Sequence, residues 1–150
     1  MITLPDDRIL TPREAKLKSP VELAFVGDAV YELLVRRHIS LTHDCPASRL
    51  HALTVSYVRA EAQHAAYLAI EPILSAEEAD AFRRGRNANK VTASKHADAA
   101  SYRASTGLEA LFGYLYLTGR TGRIEELFAA ITAAAEGGQE DIETKTEDNI

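Results

Sequence analysis

A single cysteine, Cys45, stands among 150 residues. That excludes an internal disulfide and a zinc site built from cysteines, and it fits a reducing cytoplasm. No run approaches the roughly 18 uninterrupted apolar residues of a membrane-spanning helix, so a soluble protein without a membrane partner is expected. The start, Met1-Ile2-Thr3-Leu4-Pro5-Asp6-Asp7-Arg8, lacks a basic stretch followed by an apolar one, so no secretory leader is expected. A glycine-rich phosphate loop and a nucleophile elbow are missing too. So are the alternating pattern of a half-buried strand and any internal repeat. Hydrophobic residues make up 46% of the chain, enough to fill one core. The expectation is one small all-α domain.

Net charge is −5, but it is unevenly placed. The stretch 136–150 holds Glu136, Glu140, Asp141, Glu143, Glu147 and Asp148 against Lys145 and carries all of it, so residues 1–135 balance to zero. Within them, 83–103 is a basic island: Arg83, Arg84, Arg86, Lys90, Lys95 and Arg103 against Asp98 alone. Such an island suits a polyanion, because each cation can neutralise a phosphate and release counterions. The plainer alternative is a solvated loop partnered by the acidic run Glu77, Glu78 and Asp80.

Residues 1–18, with Pro5 and Pro12, read as a poorly structured lead-in. Ser19-Pro20-Val21-Glu22 is a helix start, with Ser19 as cap and Pro20 in the first turn. The spacing of Val26, Ala29, Val30, Leu33 and Leu34 carries that helix to about His38, where Arg36-Arg37-His38 would complement its carbonyl end. Asp44-Cys45-Pro46 opens a long alanine-rich helix to about Ile70, and Pro72 breaks it. Ser75-Ala76-Glu77-Glu78 fits a capping box for a short helix through Phe82. The basic island, with Gly85, Asn87 and Asn89, reads as mostly loop. A strong helix from about Tyr102 to Leu117 ends at Gly119. Thr121 caps a last helix with the stripe Ile124, Leu127, Phe128 and Ile131, stopped by Gly137-Gly138. The acidic remainder, 136–150, reads as disordered.

Two carboxylates sit where they harm good helices. In Leu23-Ala24-Phe25-Val26-Gly27-Asp28-Ala29-Val30-Tyr31-Glu32, Gly27 costs about 1 kcal/mol relative to alanine. Asp28 has Ala24, Phe25, Tyr31 and Glu32 one turn away. Glu109 lies likewise in Thr106-Gly107-Leu108-Glu109-Ala110-Leu111-Phe112-Gly113-Tyr114, among apolar residues and thinning glycines. A carboxylate so placed loses hydration unless it is paired or bound to a cation. Glycines there let another backbone, or a substrate, come close. One outcome is that both carboxylates face water and the glycines serve helix packing. The sharper one puts both in one cleft as hard oxygen ligands for Mg²⁺, which takes one or two carboxylates plus waters and phosphate oxygens.

These two segments carry a resemblance. Residues 23–32 resemble the signature helix of the ribonuclease III catalytic domain. Tyr102-Arg103-Ala104-Ser105-Thr106-Gly107-Leu108-Glu109-Ala110-Leu111-Phe112-Gly113-Tyr114-Leu115-Tyr116-Leu117 resembles its second catalytic helix. The similarity spans roughly 19–131, within a domain bounded at 19–135. It is nearest to the Mini-ribonuclease III branch, which has the nuclease domain without a double-stranded-RNA-binding domain. The resemblance implies an all-α endonuclease bundle, working as a two-fold homodimer on double-stranded RNA and leaving 5′-phosphate and 3′-hydroxyl ends. It implies Asp28 as the essential aspartate and Glu109 as the metal-binding glutamate. Full-length members usually carry a glutamate where this chain has Ala24 and an aspartate where it has Thr106. The branch's substrate, precursor 23S ribosomal RNA presented with a ribosomal protein, is the implied target.

Mg²⁺ held by Asp28 and Glu109 would lower the pKa of a water and neutralise charge on the phosphoryl oxygens. RNA contact falls to Arg83, Arg86, Lys90, Lys95 and Arg103, since an A-form duplex is met through shape, phosphates and 2′-hydroxyls. Rival functions are a helical RNA- or ribosome-binding module without catalysis, which the retained carboxylates oppose, and a metal-dependent phosphohydrolase. For the latter, His43-Asp44 with His38, His51, His64 and His96 would have to form a cluster; Asp44 is better explained as a cap. Cys45 has no base beside it. Tyr114, Tyr116 and Phe112 fit core or dimer interface better than base stacking.

Overall fold

The computed structural model describes residues 8–88 and 98–147, with side chains described as far as residue 137. Its helices are α1 (Pro12–Leu17), α2 (Pro20–Thr42), α3 (Ala47–Val58), α4 (Ala60–Ile70), α5 (Ala76–Ala88), α6 (Ala99–Leu117) and α7 (Thr121–Glu147), with a 3-10 turn at Glu71–Ile73. Among the described residues there is no strand, so the all-α expectation holds. None of their helices is long and apolar enough to cross a membrane.

The chain punctuates itself at two of the three expected hydroxyl caps, Ser19 and Ser75, and in one place more. Ser19 Oγ accepts from the Glu22 amide at 3.1 Å. Ser75 and Glu78 exchange both bonds of a capping box, at 3.1 and 2.8 Å. A second box, Thr11 with Glu14, starts α1 inside the supposed lead-in. At the other end of α6, Gly119 adopts φ +74°. Its amide and that of Arg120 bond back to Tyr116 and Leu115, the Schellman arrangement that only a residue tolerant of positive φ closes cheaply.

Other boundaries moved. α2 runs on to Thr42, so Arg36 is mid-helix and pairs with Glu32 one turn back rather than capping carbonyls. The single helix expected to Ile70 is two: Arg59 is extended (φ −61°, ψ 154°) between α3 and α4. Thr54 and Ser56 hydroxyls bond back to the Leu50 and Leu53 carbonyls just before it, competing with the helix ladder. Asp44 caps nothing, because Pro46 is the residue before α3 and no side chain caps it. α5 continues past Phe82 to Ala88, so Arg83, Arg84 and Arg86 are helical rather than in a loop. Thr121 is the first residue of α7, and the helix passes through Gly137-Gly138 to Glu147.

α6 is the hub. Leu108, Ala110, Leu111, Phe112 and Leu115 are fully buried, and a helix apolar around most of its girth belongs inside. α2 crosses it so closely that a Cβ on Gly27 would sit 1.6 Å from the Glu109 carbonyl oxygen, and one on Gly113 1.9 Å from that of Leu23. α5 packs on another side, with Gly107 against Phe82 and Gly85 against Ala110. Tyr31 of α2 meets Phe112 and Phe128 edge-on, at 5.3 and 5.9 Å between centroids. The stripe Ile124, Leu127, Phe128 and Ile131 closes the core as expected.

The acidic run of α5 has its own partners. Glu78, 3% exposed, receives Arg123 Nε at 2.8 Å and Nη2 at 2.9 Å. Arg123 also donates to the Ile73 carbonyl at 2.6 Å. Burial alone would raise the Glu78 pKa; the bonds from Arg123 and Ser75 outweigh it and hold the carboxyl below its ordinary 4.5. Arg123→Met should therefore lower the unfolding free energy by about 3 kcal/mol, by stranding a buried charge. Urea unfolding at pH 7 reads this, and an unchanged midpoint would refute it. Because the folded pKa is depressed, the wild-type contribution is complete above about pH 4.5 and is lost as pH falls through the lower folded value.

Candidate active site

The α2–α6 crossing places Asp28 and Glu109 together. Gly27 touches the Glu109 backbone, so the next residue of α2, Asp28, emerges beside the Glu109 side chain. Asp28 is exposed and Glu109 is partly buried. Burial and, second, the neighbouring Asp28 charge push the Glu109 carboxyl up to about 7, against the opposing pull of the nearby Gln63 amide. The glycines bring in the other helix's backbone, and the carboxylates still converge.

Two negative groups held this close, one poorly hydrated, make a site short of positive charge. A divalent cation fits it on donor chemistry: hard carboxylate oxygens, and beside them the buried Gln63 Oε1, which has no hydrogen-bond partner. Among the described residues no group of three His, Cys, Asp or Glu side chains could hold a metal. That agrees with Ala24 and Thr106 at the two positions where full-length members carry acids. Ala24 is buried, and the Thr106 hydroxyl donates to the Tyr102 carbonyl at 3.2 Å.

Gln63 is a residue that sequence reasoning passed over. Its signal was there: Gln63, Ala66 and Ile70 form the buried stripe of α4, and a long polar side chain on an apolar stripe needs an explanation.

The basic island is only partly described. Arg83 is ion-paired with Asp80, whereas Glu77 and Glu78 are taken by Arg120 and Arg123 of the α6–α7 region. Among the described residues the acidic run therefore partners the island at Arg83 only. Arg86 and Arg103, both exposed, line one cavity of about 580 Å³ with His64, Tyr67, Phe82 and Asn87. Its apolar wall is the Tyr67–Phe82 stack, 3.6 Å between centroids, with the Arg86 guanidinium over the Phe82 ring. Lys90 and Lys95 lie outside the described residues.

Several further candidates among the described residues settle into structure, and His96 lies outside them. Phe112 and Tyr114 are buried, with the Tyr114 hydroxyl donating to Glu77, so neither stacks on a base. His64 shares a hydrogen bond with Ser101 at 3.2 Å, and His38 packs on Tyr57 and Phe128.

Comparison with known proteins agrees with this geometry. The family model of the Ribonuclease III domain matches residues 21–120, a span that contains both carboxylates. Mini-ribonuclease 3 of Thermoanaerobacter sp. (strain X514) is 43% identical over 124 residues, 83% of this chain and 87% of the relative. Mini-ribonuclease 3 of Symbiobacterium thermophilum is 44% identical over 120 residues, 80% and 92% of the two chains. A crystal structure of a protein from Fusobacterium nucleatum superposes with a TM-score of 0.68 at 28% identity, covering 82% of this chain and 96% of that one. An acidic pair on crossed helices, the family match across both of them and relatives alike over most of their length lead to one conclusion: this chain belongs to the ribonuclease III family of double-strand-specific endoribonucleases, in its Mini-ribonuclease 3 branch.

Proposed function

We propose that the protein is a Mg²⁺-dependent nuclease that trims precursor 23S ribosomal RNA in the cytoplasm, with Asp28 and Glu109 as its metal-holding and catalytic residues. The observation that carries this is the convergence of those two carboxylates at the α2–α6 crossing. When bound, Mg²⁺ supplies a water ionised near neutral pH and neutralises charge developing on the phosphoryl oxygens. Asp28, the more exposed of the pair, orients the attacking water toward the phosphorus. Glu109, set deeper, holds its carboxylate in place through its helix and the amide of Gln63. The products carry 5′-phosphate and 3′-hydroxyl ends.

Arg86 and Arg103, facing one cavity, together with Arg83, Lys90 and Lys95, meet the RNA backbone by charge rather than by base. A second copy of the chain covers the apolar surface near the site. Leu17, Val21 and Phe25 are 82, 59 and 79% exposed, and Phe25 lies three residues before Asp28. A two-fold dimer built there sets one site against each strand of the duplex. The ribosomal substrate, and a ribosomal protein presenting it, follow from the Mini-ribonuclease III resemblance.

Labelled duplex RNA incubated with Mg²⁺ tests the site. Asp28→Asn should lower the cleavage rate by at least about 100-fold, the scale of losing one group that acts on the developing charge, while leaving duplex binding unchanged. Duplex binding without cleavage by the wild type would identify a binding module instead.

A further inference from the structure

The residue with the least explained environment is Gln63. It is 2% exposed, yet its side chain does not complete its hydrogen bonds. Nε2 donates to the Val58 carbonyl at 3.1 Å, and Oε1 has no partner. Buried polar atoms are rarely left so, because each costs about 1–3 kcal/mol when unsatisfied. A methionine or leucine would fill the same stripe of α4 without that cost. Packing therefore does not account for an amide here.

Its neighbours do. The extended backbone at Arg59 ends α3 at Val58 and leaves the Val58 carbonyl for Nε2 to tether. Nε2 carries two hydrogens; with one on Val58, the other is available to Glu109, the side chain on which the Gln63 amide acts. The helix break that sequence periodicity did not reveal thus sets the distance between a fixed carbonyl and the Glu109 carboxylate, with Gln63 spanning it. Oε1 is left as a buried acceptor without a partner.

We infer that Gln63 is the positioning residue of this site: it clamps Glu109 between the α3–α4 break and Asp28, and offers Oε1 as acceptor to water that enters with a divalent cation. This rests on the reading of Asp28 and Glu109 as metal ligands. Residues that orient a ligand from behind typically change metal affinity by about 10–100-fold when replaced. The clamp role therefore has a readout independent of catalysis.

The test is Mn²⁺ binding by the full chain without RNA, followed by the electron paramagnetic resonance of free Mn²⁺. Gln63→Met, close in volume and without hydrogen bonds, should bind Mn²⁺ about 10–100-fold more weakly than wild type, with a melting temperature equal or higher. Asp28→Asn should lose the site. If Asp28→Asn loses Mn²⁺ while Gln63→Met stays within twofold of wild type, the clamp is wrong and the metal site stands. If Asp28→Asn and Glu109→Gln both bind as wild type does, the metal site itself falls. A wild-type experiment covers the case in which Gln63→Met does not fold. The Gln63 side-chain amide resonances should shift saturably with Mg²⁺ in ¹⁵N spectra, and resonances that stay put at saturation would overturn the clamp.

Discussion

Gly27→Ala is expected to destabilise the protein by more than about 4 kcal/mol, a large part of the 5–15 kcal/mol that holds a domain together. The added methyl would lie 1.6 Å from the Glu109 carbonyl oxygen, 2.5 Å from its carbon and 2.7 Å from the Gly113 nitrogen. All three are helix backbone, so no rotamer change relieves the clash. α2 and α6 would have to separate by more than an ångström along the seam that carries Leu23, Tyr31, Leu108 and Phe112, all at or near zero exposure. Alanine's higher helix propensity returns only about 1 kcal/mol. Gly122→Ala is the control: nothing lies within 4 Å of its added methyl, so a change of less than about 1 kcal/mol is expected. Urea midpoints of the three proteins decide the matter. Equal losses for Gly27→Ala and Gly122→Ala would mean that the crossing is looser than described. Even a folded Gly27→Ala protein should be a poor nuclease, because the widened crossing parts Asp28 from Glu109.

Glu109→Gln should have two opposite effects, abolishing cleavage and stabilising the metal-free protein at alkaline pH. Burial first, and the charge of Asp28 second, raise the Glu109 carboxyl to about 7. A carboxyl raised in the folded state contributes fully below its ordinary 4.5, and that contribution is lost as pH climbs through about 7. Each pKa unit is worth about 1.4 kcal/mol. With the group partly open to water, a penalty of about 2 kcal/mol is expected at pH 8. Glutamine keeps the shape without the charge, so the variant should melt roughly 5 °C above wild type at pH 8 without divalent cation. At pH 4 the two should agree. Mg²⁺ should then raise the wild type and leave the variant where it was, since a ligand stabilises only the state that binds it. Thermal melts at the two pH values, with and without Mg²⁺, measure all four numbers. A wild type as stable as the variant at pH 8 would show that neither burial nor the charge of Asp28 raises the Glu109 carboxyl.

Both outcomes turn on one crossing, and its two halves were legible in different ways. Gly27 and Asp28 in α2, and Glu109 and Gly113 in α6, were conspicuous because each weakens a helix that its neighbours favour. Local propensity is readable from a single strand of sequence, and so is a violation of it. The same holds for the Ser19 and Ser75 caps, the Gly119 terminus and the apolar stripe of α7. Each depends on residues within a few positions of one another.

What depended on residues far apart was not legible. The long alanine-rich pattern from Ala47 to Ile70 has no proline or glycine to mark a break, yet Arg59 is extended. Gln63 bonds the carbonyl freed there and turns toward Glu109, 46 positions along the chain. The acidic run of α5 looked like a partner for the basic island, but the buried Glu78 goes to Arg123, and only the packing of α5 against the start of α7 could arrange that. Sequence alone determined that the chain is helical, where most helices begin, and which two carboxylates are out of place, because short-range sterics and hydrogen bonds dictate these. Tertiary structure alone decided that backbone lies against backbone at Gly27 and that a glutamine completes the acidic pair, because proximity between distant helices is a property of their packing and not of either helix.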